Sequence, residues 1–190
     1  MCIPAAAILT RTGIHWCETE SHTDEIERLG LRDDGSAVPD FVRIEITPPD
    51  RDYRLPLDQW VYHVDQPQTP EWYTAATAEA AVRAELPQWI AAHVFSDGVH
   101  ELRSGFCYAH NSASVYAYDS ACVDAYGSAR VYAYGSARVN AYNSARVYAY
   151  DSACCHAYSD SACSGKLSGA GHIVDMRVSP PRIIVAQQGE

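Results

Sequence analysis

The second half of the chain repeats a pattern of apolar and polar positions with a period of eight residues. From Cys107 to Cys163, small apolar residues occupy alternate positions of each octad, and aromatic or polar residues lie between them. Alternation with a period of two is typical of strands with one buried face. A Gly, Asn or Asp followed by Ser ends most of these runs, which indicates a tight turn. Each octad therefore predicts one short strand and one corner of a coil.

The number of octads in one coil follows from the position just after the first apolar residue of each octad. This position repeats with a period of sixteen, because tyrosine alternates there with other polar residues. A triangular coil of three octads would mix the two classes, so we expect a two-sided β-solenoid of about 16 residues per coil. Its two faces would carry Tyr116, Tyr132 and Tyr148 on one side and Asp124, Asn140 and His156 on the other.

Residues 1–105 have no repeat and favour a small α+β domain, which holds all four tryptophans. Its elements are identified by residues that cap helices, by alternating apolar residues in strands, and by Pro or Gly at the ends of elements. The predicted elements are a hairpin with its turn at Thr12-Gly13, a short helix capped by Ser21 or Thr23, the strands FVRIEIT and DQWVYHVDQ, and a helix from Thr69-Pro70 to about Leu86. At that point Pro87 either kinks the helix or starts the next one.

The whole chain is thus expected to form an α+β N-terminal head followed by a short β-solenoid and a C-terminal strand cap. The expected boundaries are 1–105 for the head, 106–163 for the solenoid and 164–190 for the cap. Two strand-like runs around Pro180 and Pro181 supply the cap. The solenoid would contain about three and a half coils, since about 57 residues are divided into coils of about 16.

Charge is distributed unevenly along the chain. Residues 1–105 carry 18 acidic and 8 basic side chains, whereas 106–190 carry six of each, so the head holds the whole net charge of −10. Direct nucleic-acid binding is not expected, because it requires clustered Lys or Arg. The apolar run MCIPAAAILT is too short for a membrane span and follows no basic segment, so we expect a cytoplasmic protein without a membrane partner.

The seven cysteines form an odd set without a C-x-x-C pair, which argues against a disulfide scaffold and a zinc ribbon. The densest group of potential ligands is Cys154, Cys155, His156 and Cys163. Strand alternation turns Cys155 inward and its two neighbours outward, so these side chains cannot converge on one ion. We therefore predict reduced thiols, no metal and no cofactor.

A second group of reactive side chains lies in the head, where His15 and Cys17 share one side of a predicted strand and His22 follows. An enzyme with its site around these three residues is the alternative to a non-enzymatic protein. The chain contains no hydrolase elbow, P-loop, zinc-protease motif or dinucleotide fingerprint. No catalytic residue is therefore assigned.

The octad S-A-x-V-x-A-Y-x resembles repeats in uncharacterised bacterial and phage proteins. In these proteins a small α/β head with a segment like TPEWYTAATAEAAVRAELPQWIAAHVF precedes the array. The octads are more loosely similar to the coils of ice-nucleation proteins, which carry a stacked tyrosine ladder. The threonine rows of those proteins are missing between 107 and 163, which argues against ice binding. The resemblance implies a phage or mobile-element origin and a role in inhibiting a host factor.

The distribution of tyrosines indicates the binding surface, because ten of the thirteen lie between Tyr108 and Tyr158. Tyrosine is a residue of protein interfaces, although a stacked ladder would also stabilise the solenoid itself. We predict a non-enzymatic protein-interaction module that binds a protein partner or a second copy of itself. In a variant of this hypothesis, the acidic head imitates nucleic acid. The predicted contact residues are Tyr116, Tyr118, Tyr132, Tyr134, Tyr148 and Tyr150.

Overall fold

The chain folds into two compact units, Met1–Ala91 and Ala92–Glu190. No helix among the described residues is long and apolar enough to cross a membrane. The computed structural model describes residues 5–19, 21–33, 38–53, 55–159 and 167–185.

The first unit contains an antiparallel four-stranded sheet with the strand order β2-β1-β3-β4. The predicted hairpin and the strand FVRIEIT are confirmed, whereas the second predicted strand is shorter because Asp58 and Gln59 belong to a 3-10 turn. Short 3-10 turns at Pro49–Arg51 and Leu57–Gln59 precede the last strand. The strands are β1 (Ala6–Thr10), β2 (Gly13–Trp16), β3 (Val42–Thr47) and β4 (Val61–Val64), and the helices are α1 (His22–Arg28) and α2 (Ala75–His93).

Helix α1 begins where the sequence predicts it. Of the two candidate caps, Ser21 is the one used: its Oγ accepts a hydrogen bond from the backbone N–H of Asp24 at 3.3 Å. The apolar side of the helix is held by a buried cluster of Ile26, Ile8 and Phe41. Burial of these side chains fixes α1 on the sheet.

Helix α2 differs from the prediction at its start, and at Pro87 it follows the alternative in which one helix continues past the proline. Thr69-Pro70 leads into a turn, closed by a hydrogen bond from the N–H of Tyr73 to the carbonyl of Pro70 at 2.9 Å, and the helix begins later. It also continues past Leu86, with Pro87 inside it. A helical proline lacks one backbone hydrogen bond. Burial of Leu86 and Trp89 on either side offsets that loss.

The second unit is a two-sided β-solenoid of about five coils with about 16 residues per coil, from residue 94 to 175. One sheet, which we call the tyrosine sheet, contains β6 (Val99–Leu102), β8 (Ser114–Ala117), β10 (Arg130–Ala133) and β12 (Arg146–Ala149). The opposite sheet contains β5 (Val94–Phe95), β7 (Phe106–Ala109), β9 (Cys122–Ala125), β11 (Arg138–Ala141), β13 (Cys154–Ala157), β14 (His172–Asp175) and β15 (Arg182–Val185). All neighbouring strands are parallel except β14 and β15, which are antiparallel.

The register confirms that two octads make one coil. Val131 lies opposite Val115 on one side and Val147 on the other, so each residue pairs with its equivalents sixteen positions away. The inward columns contain mainly Ala and Val, and most of these side chains have no exposed surface. Stacked coils therefore bury a thin continuous core in which every coil depends on its neighbours.

The corners also match the sequence pattern, because each one needs a backbone with positive φ. Gly, Asn and Asp tolerate this conformation better than other residues. Serines close the corners between coils; for example, Ser136 Oγ donates to the carbonyl of Asp119 at 2.9 Å. The corner residues with φ between 51° and 64° are Asn111, Asp119, Gly127, Gly135, Asn143, Asp151 and Gly169.

The solenoid begins earlier than the predicted boundary at residue 106 and is longer than the predicted three and a half coils. Strands β5 and β6 already belong to its two sheets. In β6, His100 lies opposite Val115 and Leu102 lies opposite Ala117, so this strand supplies one more pair of inward residues. The octad pattern does not predict this first coil, because strands β5 and β6 lack the Tyr, Ser and Ala of the octad.

The solenoid ends in the predicted strand cap. Strand β14 continues the parallel sheet and β15 folds back against it, so Ile184 lies opposite Ile173 at the end of the core. At the end of this inward column, the charged residue Asp175 takes the place of a small apolar residue. It lies opposite Ala157 and is fully buried. Arg177 Nε donates to the Asp175 carboxylate at 2.6 Å, and Arg182 Nη2 donates to it at 3.2 Å.

This ion pair makes the stability of the cap depend on pH. Hydrogen bonds from Arg177 hold the pKa of the Asp175 carboxyl well below its usual range. The folded state therefore binds fewer protons than the unfolded chain. The stabilisation is present above the ordinary aspartate pKa of about 3.9 and is lost as the pH falls below it. We expect the melting temperature to fall more steeply between about pH 5 and about pH 3 in the wild type than in Asp175→Asn. Parallel profiles would contradict the role given to this carboxylate.

Candidate interaction surface

The six predicted contact residues form two parallel columns along the tyrosine sheet, one within strands β8, β10 and β12 and one at the residues that directly follow these strands. In the first column, Tyr132 is stacked between Tyr116 and Tyr148, with ring centroids 4.8 Å apart on both sides and interplanar angles of 11° and 9°. In the second, Tyr134 lies 5.2 Å from Tyr118 and 4.7 Å from Tyr150. The ring spacing matches the strand spacing, so strand pairing itself produces the ladder. These six residues form what we call the tyrosine face.

Arginines flank the tyrosine face on the same sheet. Arg130 and Arg146 pair directly across β10 and β12, and both are exposed. The guanidinium of Arg103 lies over the ring of Tyr118 at 4.8 Å from the centroid, a cation–π contact at the first coil. The surface therefore combines tyrosine with arginine, two residue types enriched in protein interfaces.

The tyrosine side chains are half-buried, and stacked neighbouring rings lie on both sides of Tyr132 and Tyr134. Partial burial, together with the neighbouring tyrosines, raises the pKa of the Tyr134 hydroxyl above its ordinary value. The hydroxyl is therefore protonated at neutral pH and can both donate and accept hydrogen bonds.

The opposite sheet has a different surface. Its central outward column places Asn140 beside Asp124, and the Asn140 amide donates to the Asp124 carboxylate at 2.8 Å. A single tyrosine column remains at its corner, formed by Tyr126, Tyr142 and Tyr158. The central outward column therefore carries tyrosine on β8, β10 and β12 but Asp, Asn and His on β9, β11 and β13, as the period of sixteen predicts.

On β13, Cys155 points into the core and its two neighbours, Cys154 and His156, point outward, as the strand alternation predicts. Cys155 is fully buried in the core, whereas Cys154 Sγ lies outside it, 3.9 Å from His156 Nε2. Burial raises the pKa of the Cys154 thiol and lowers the pKa of His156. Cys163 lies outside the described residues.

The other cysteines of the solenoid are held apart or buried. Arg138 lies between Cys122 and Cys154, as the coil period predicts. Burial raises the pKa of the Cys107 thiol to about 12, so this thiol is protonated at neutral pH. No disulfide joins two of the described cysteines.

The three head residues of the enzymatic alternative do not form one ligand cluster. His15 Nε2 lies 3.1 Å from Thr10 Oγ1, and Cys17 is buried. His22 contacts the carbonyl of Ile44 instead. Within the described residues, the group of His, Cys, Asp and Glu side chains whose ligand atoms come within 4.8 Å of one another is His22, Glu45 and Asp65.

Glu45 and Asp65 were missed as partners of His22. They lie on or next to strands more than twenty residues away, and strand pairing brings them together. The only sequence signal was Glu45 itself, one of two charged residues in the predicted strand FVRIEIT.

Comparison with protein-family models, with curated proteins and with solved structures finds no match to this chain. Its function must therefore be argued from its own surface.

Proposed function

We propose that this chain is a non-enzymatic protein-interaction module that binds a partner protein through the tyrosine face. The observation that carries the proposal is the concentration of six tyrosines in two columns on one sheet, edged by Arg130 and Arg146. The opposite sheet carries Asp124, Asn140 and His156 at the equivalent central positions. A role in solenoid stability alone does not account for this difference between the faces.

The stacked columns suit binding for a thermodynamic reason. An interface side chain loses conformational entropy when it is immobilised, and rigid surfaces lose less. Tyr132 and Tyr134 are already held between neighbouring rings. A partner can therefore pack against their edges and bond to their hydroxyls at low entropic cost. The two exposed arginines favour a partner with acidic residues at the rim of the interface.

A role as a phage-borne or mobile-element inhibitor of a host factor in the cytoplasm forms part of this proposal. It is supported only by the resemblance of the octads to repeats of bacterial and phage proteins. Self-association through the same face is the second form of the interaction, with another copy of this chain as the partner.

A pair of variants tests the tyrosine face. Tyr132→Ser removes the central ring and two stacking contacts, and we expect a stability loss of about 1–2 kcal/mol with the fold retained. Binding should weaken by about 2 kcal/mol or more, as at a hot spot. Asn140→Ser is the matched control, because Asn140 has the equivalent place on the opposite sheet and loses its hydrogen bond to Asp124.

The measurements are sedimentation of both variants at several concentrations and pull-down from host lysate. The proposal predicts that the wild type and Asn140→Ser retain the same partner or the same self-association, and that Tyr132→Ser loses it. Identical behaviour of the two variants would show that the columns serve only as an internal ladder.

Salt separates the tyrosine face from the acidic-mimic variant, in which the head, with all of the net charge of −10, occupies a basic site. Raising the salt from about 0.1 M to about 0.5 M shortens the electrostatic range and should release a partner held by the head. A partner held mainly by apolar contact with the tyrosine face should stay bound.

A further inference from the structure

We infer that His22, Glu45 and Asp65 form a binding site for one divalent transition-metal ion, of the class to which Zn²⁺ belongs. Their ligand atoms lie within 4.8 Å of one another. The three residues come from three elements of the first unit: the start of α1, the middle of β3 and the residue after β4. The site is separate from the tyrosine face and goes beyond the proposed interaction function.

The orientation of the His22 ring suits metal binding. Its Nε2 lies 3.1 Å from the carbonyl oxygen of Ile44, and because a carbonyl only accepts, Nε2 carries the hydrogen. A ring with its single proton on Nε2 has its lone pair on Nδ1, which lies 3.6 Å from Asp65 Oδ2. A backbone carbonyl that fixes the tautomer in this way is the usual second partner of a metal-binding histidine.

The spacing of the ligand atoms also fits an ion. Two ligand atoms about 2.1 Å from a tetrahedral ion lie about 3.4 Å apart. The observed 3.6 Å between His22 Nδ1 and Asp65 Oδ2 is close to this value. The backbone of Asp65 is held by a hydrogen bond from its N–H to the carbonyl of Arg43 at 2.9 Å, which extends the pairing of β3 and β4. Small side-chain rotations complete the convergence.

The charges of the three side chains support a cation. Glu45 is 7% exposed and His22 is 4% exposed, so a carboxylate and an imidazole are both buried next to a second carboxylate. The charge of one divalent ion balances that of two carboxylates.

The ligand set selects the type of ion. One imidazole with two carboxylates suits first-row transition ions, whereas Mg²⁺ and Ca²⁺ prefer oxygen ligands alone. The Asp65 side chain is 54% exposed, so the site opens to solvent there and water can complete the coordination. Because the ligands join α1 to two strands, bound metal should raise the melting temperature of the chain.

The test is calorimetric titration of the chelator-treated full chain with Zn²⁺. We expect one equivalent of Zn²⁺ to bind at this site, and Asp65→Asn to weaken that binding by at least about tenfold. Asp65 is the ligand chosen for substitution because its exposed side chain allows folding to survive, which circular dichroism checks. The matched control is Asp58→Asn, an exposed acid outside the cluster.

Two further measurements exclude binding elsewhere. Cys154→Ser removes the thiol beside His156 and should leave the one-equivalent site intact. Excess Mg²⁺ or Ca²⁺ should not displace Zn²⁺. Equal Zn²⁺ affinity of Asp65→Asn and the wild type, loss of the site in Cys154→Ser, displacement by Mg²⁺ or Ca²⁺, or no Zn²⁺ binding at all would overturn the inference.

Discussion

Replacing Val139 by Asp should unfold the solenoid. The Val139 side chain has no exposed surface and lies between Val123 and Cys155 in the inward column. A carboxylate there would be buried without a partner, so we expect a loss of more than about 4 kcal/mol. That is a large part of the total stability of an ordinary domain. Thermal or urea unfolding followed by circular dichroism measures the effect.

The control for this prediction is Arg138→Asp, which places the same carboxylate one residue earlier. Arg138 is exposed on the outer side of β11. Its replacement should cost about 1 kcal/mol or less, because exposed substitutions outside special contacts have small effects. Similar unfolding by both variants would show that the alternation of inward and outward residues along β11 is wrong.

Replacing Gly171 by Ala should be the second most damaging change. A Cβ atom at Gly171 would lie 2.5 Å from the carbonyl oxygen and 2.8 Å from the carbonyl carbon of Ala149. Both atoms belong to backbone at the end of β12, and backbone cannot rotate away as a flexible side chain can. The chain leading into β14 would have to shift, so we expect a loss of about 3 kcal/mol.

Gly127→Asn provides the contrast. Gly127 has a φ of 60°, and a Cβ atom there would meet Asn111 only at an ordinary contact distance of 3.5 Å. The corners above and below it in the same stack are Asn143 and Asn111, both with positive φ. Asparagine should therefore fit with little loss of stability. If thermal unfolding shows Gly171→Ala to be no worse than Gly127→Asn, close backbone contact does not limit this end of the solenoid.

The candidate interaction surface could be predicted from the sequence because its geometry follows from the period alone. Once sixteen residues form a coil, Tyr116, Tyr132 and Tyr148 must stack on one side. The shielding of each ring by its neighbours could not be predicted as directly. It depends on ring orientation, and the interplanar angles of 11° and 9° show that the rings stack face to face.

The three residues of the proposed metal site could not be grouped from the sequence. The sequence grouped His22 with His15 and Cys17, which are its neighbours along the chain. In the folded head, the ring faces Glu45 and Asp65 instead. Sequence distance does not limit which side chains meet across paired strands, so a cluster of this kind has no local signature.

The sequence by itself determined the repeating part of this protein: the strand in each octad, the corner with positive φ, the Ala and Val core and the two faces. It could do so because every octad has nearly the same neighbours, and a local pattern then implies the contacts between coils. Only the tertiary structure decided the parts without repetition. It extended the solenoid back to Val94 and placed His22 beside two distant carboxylates. In each case, burial and pairing with remote residues outweighed the local signal.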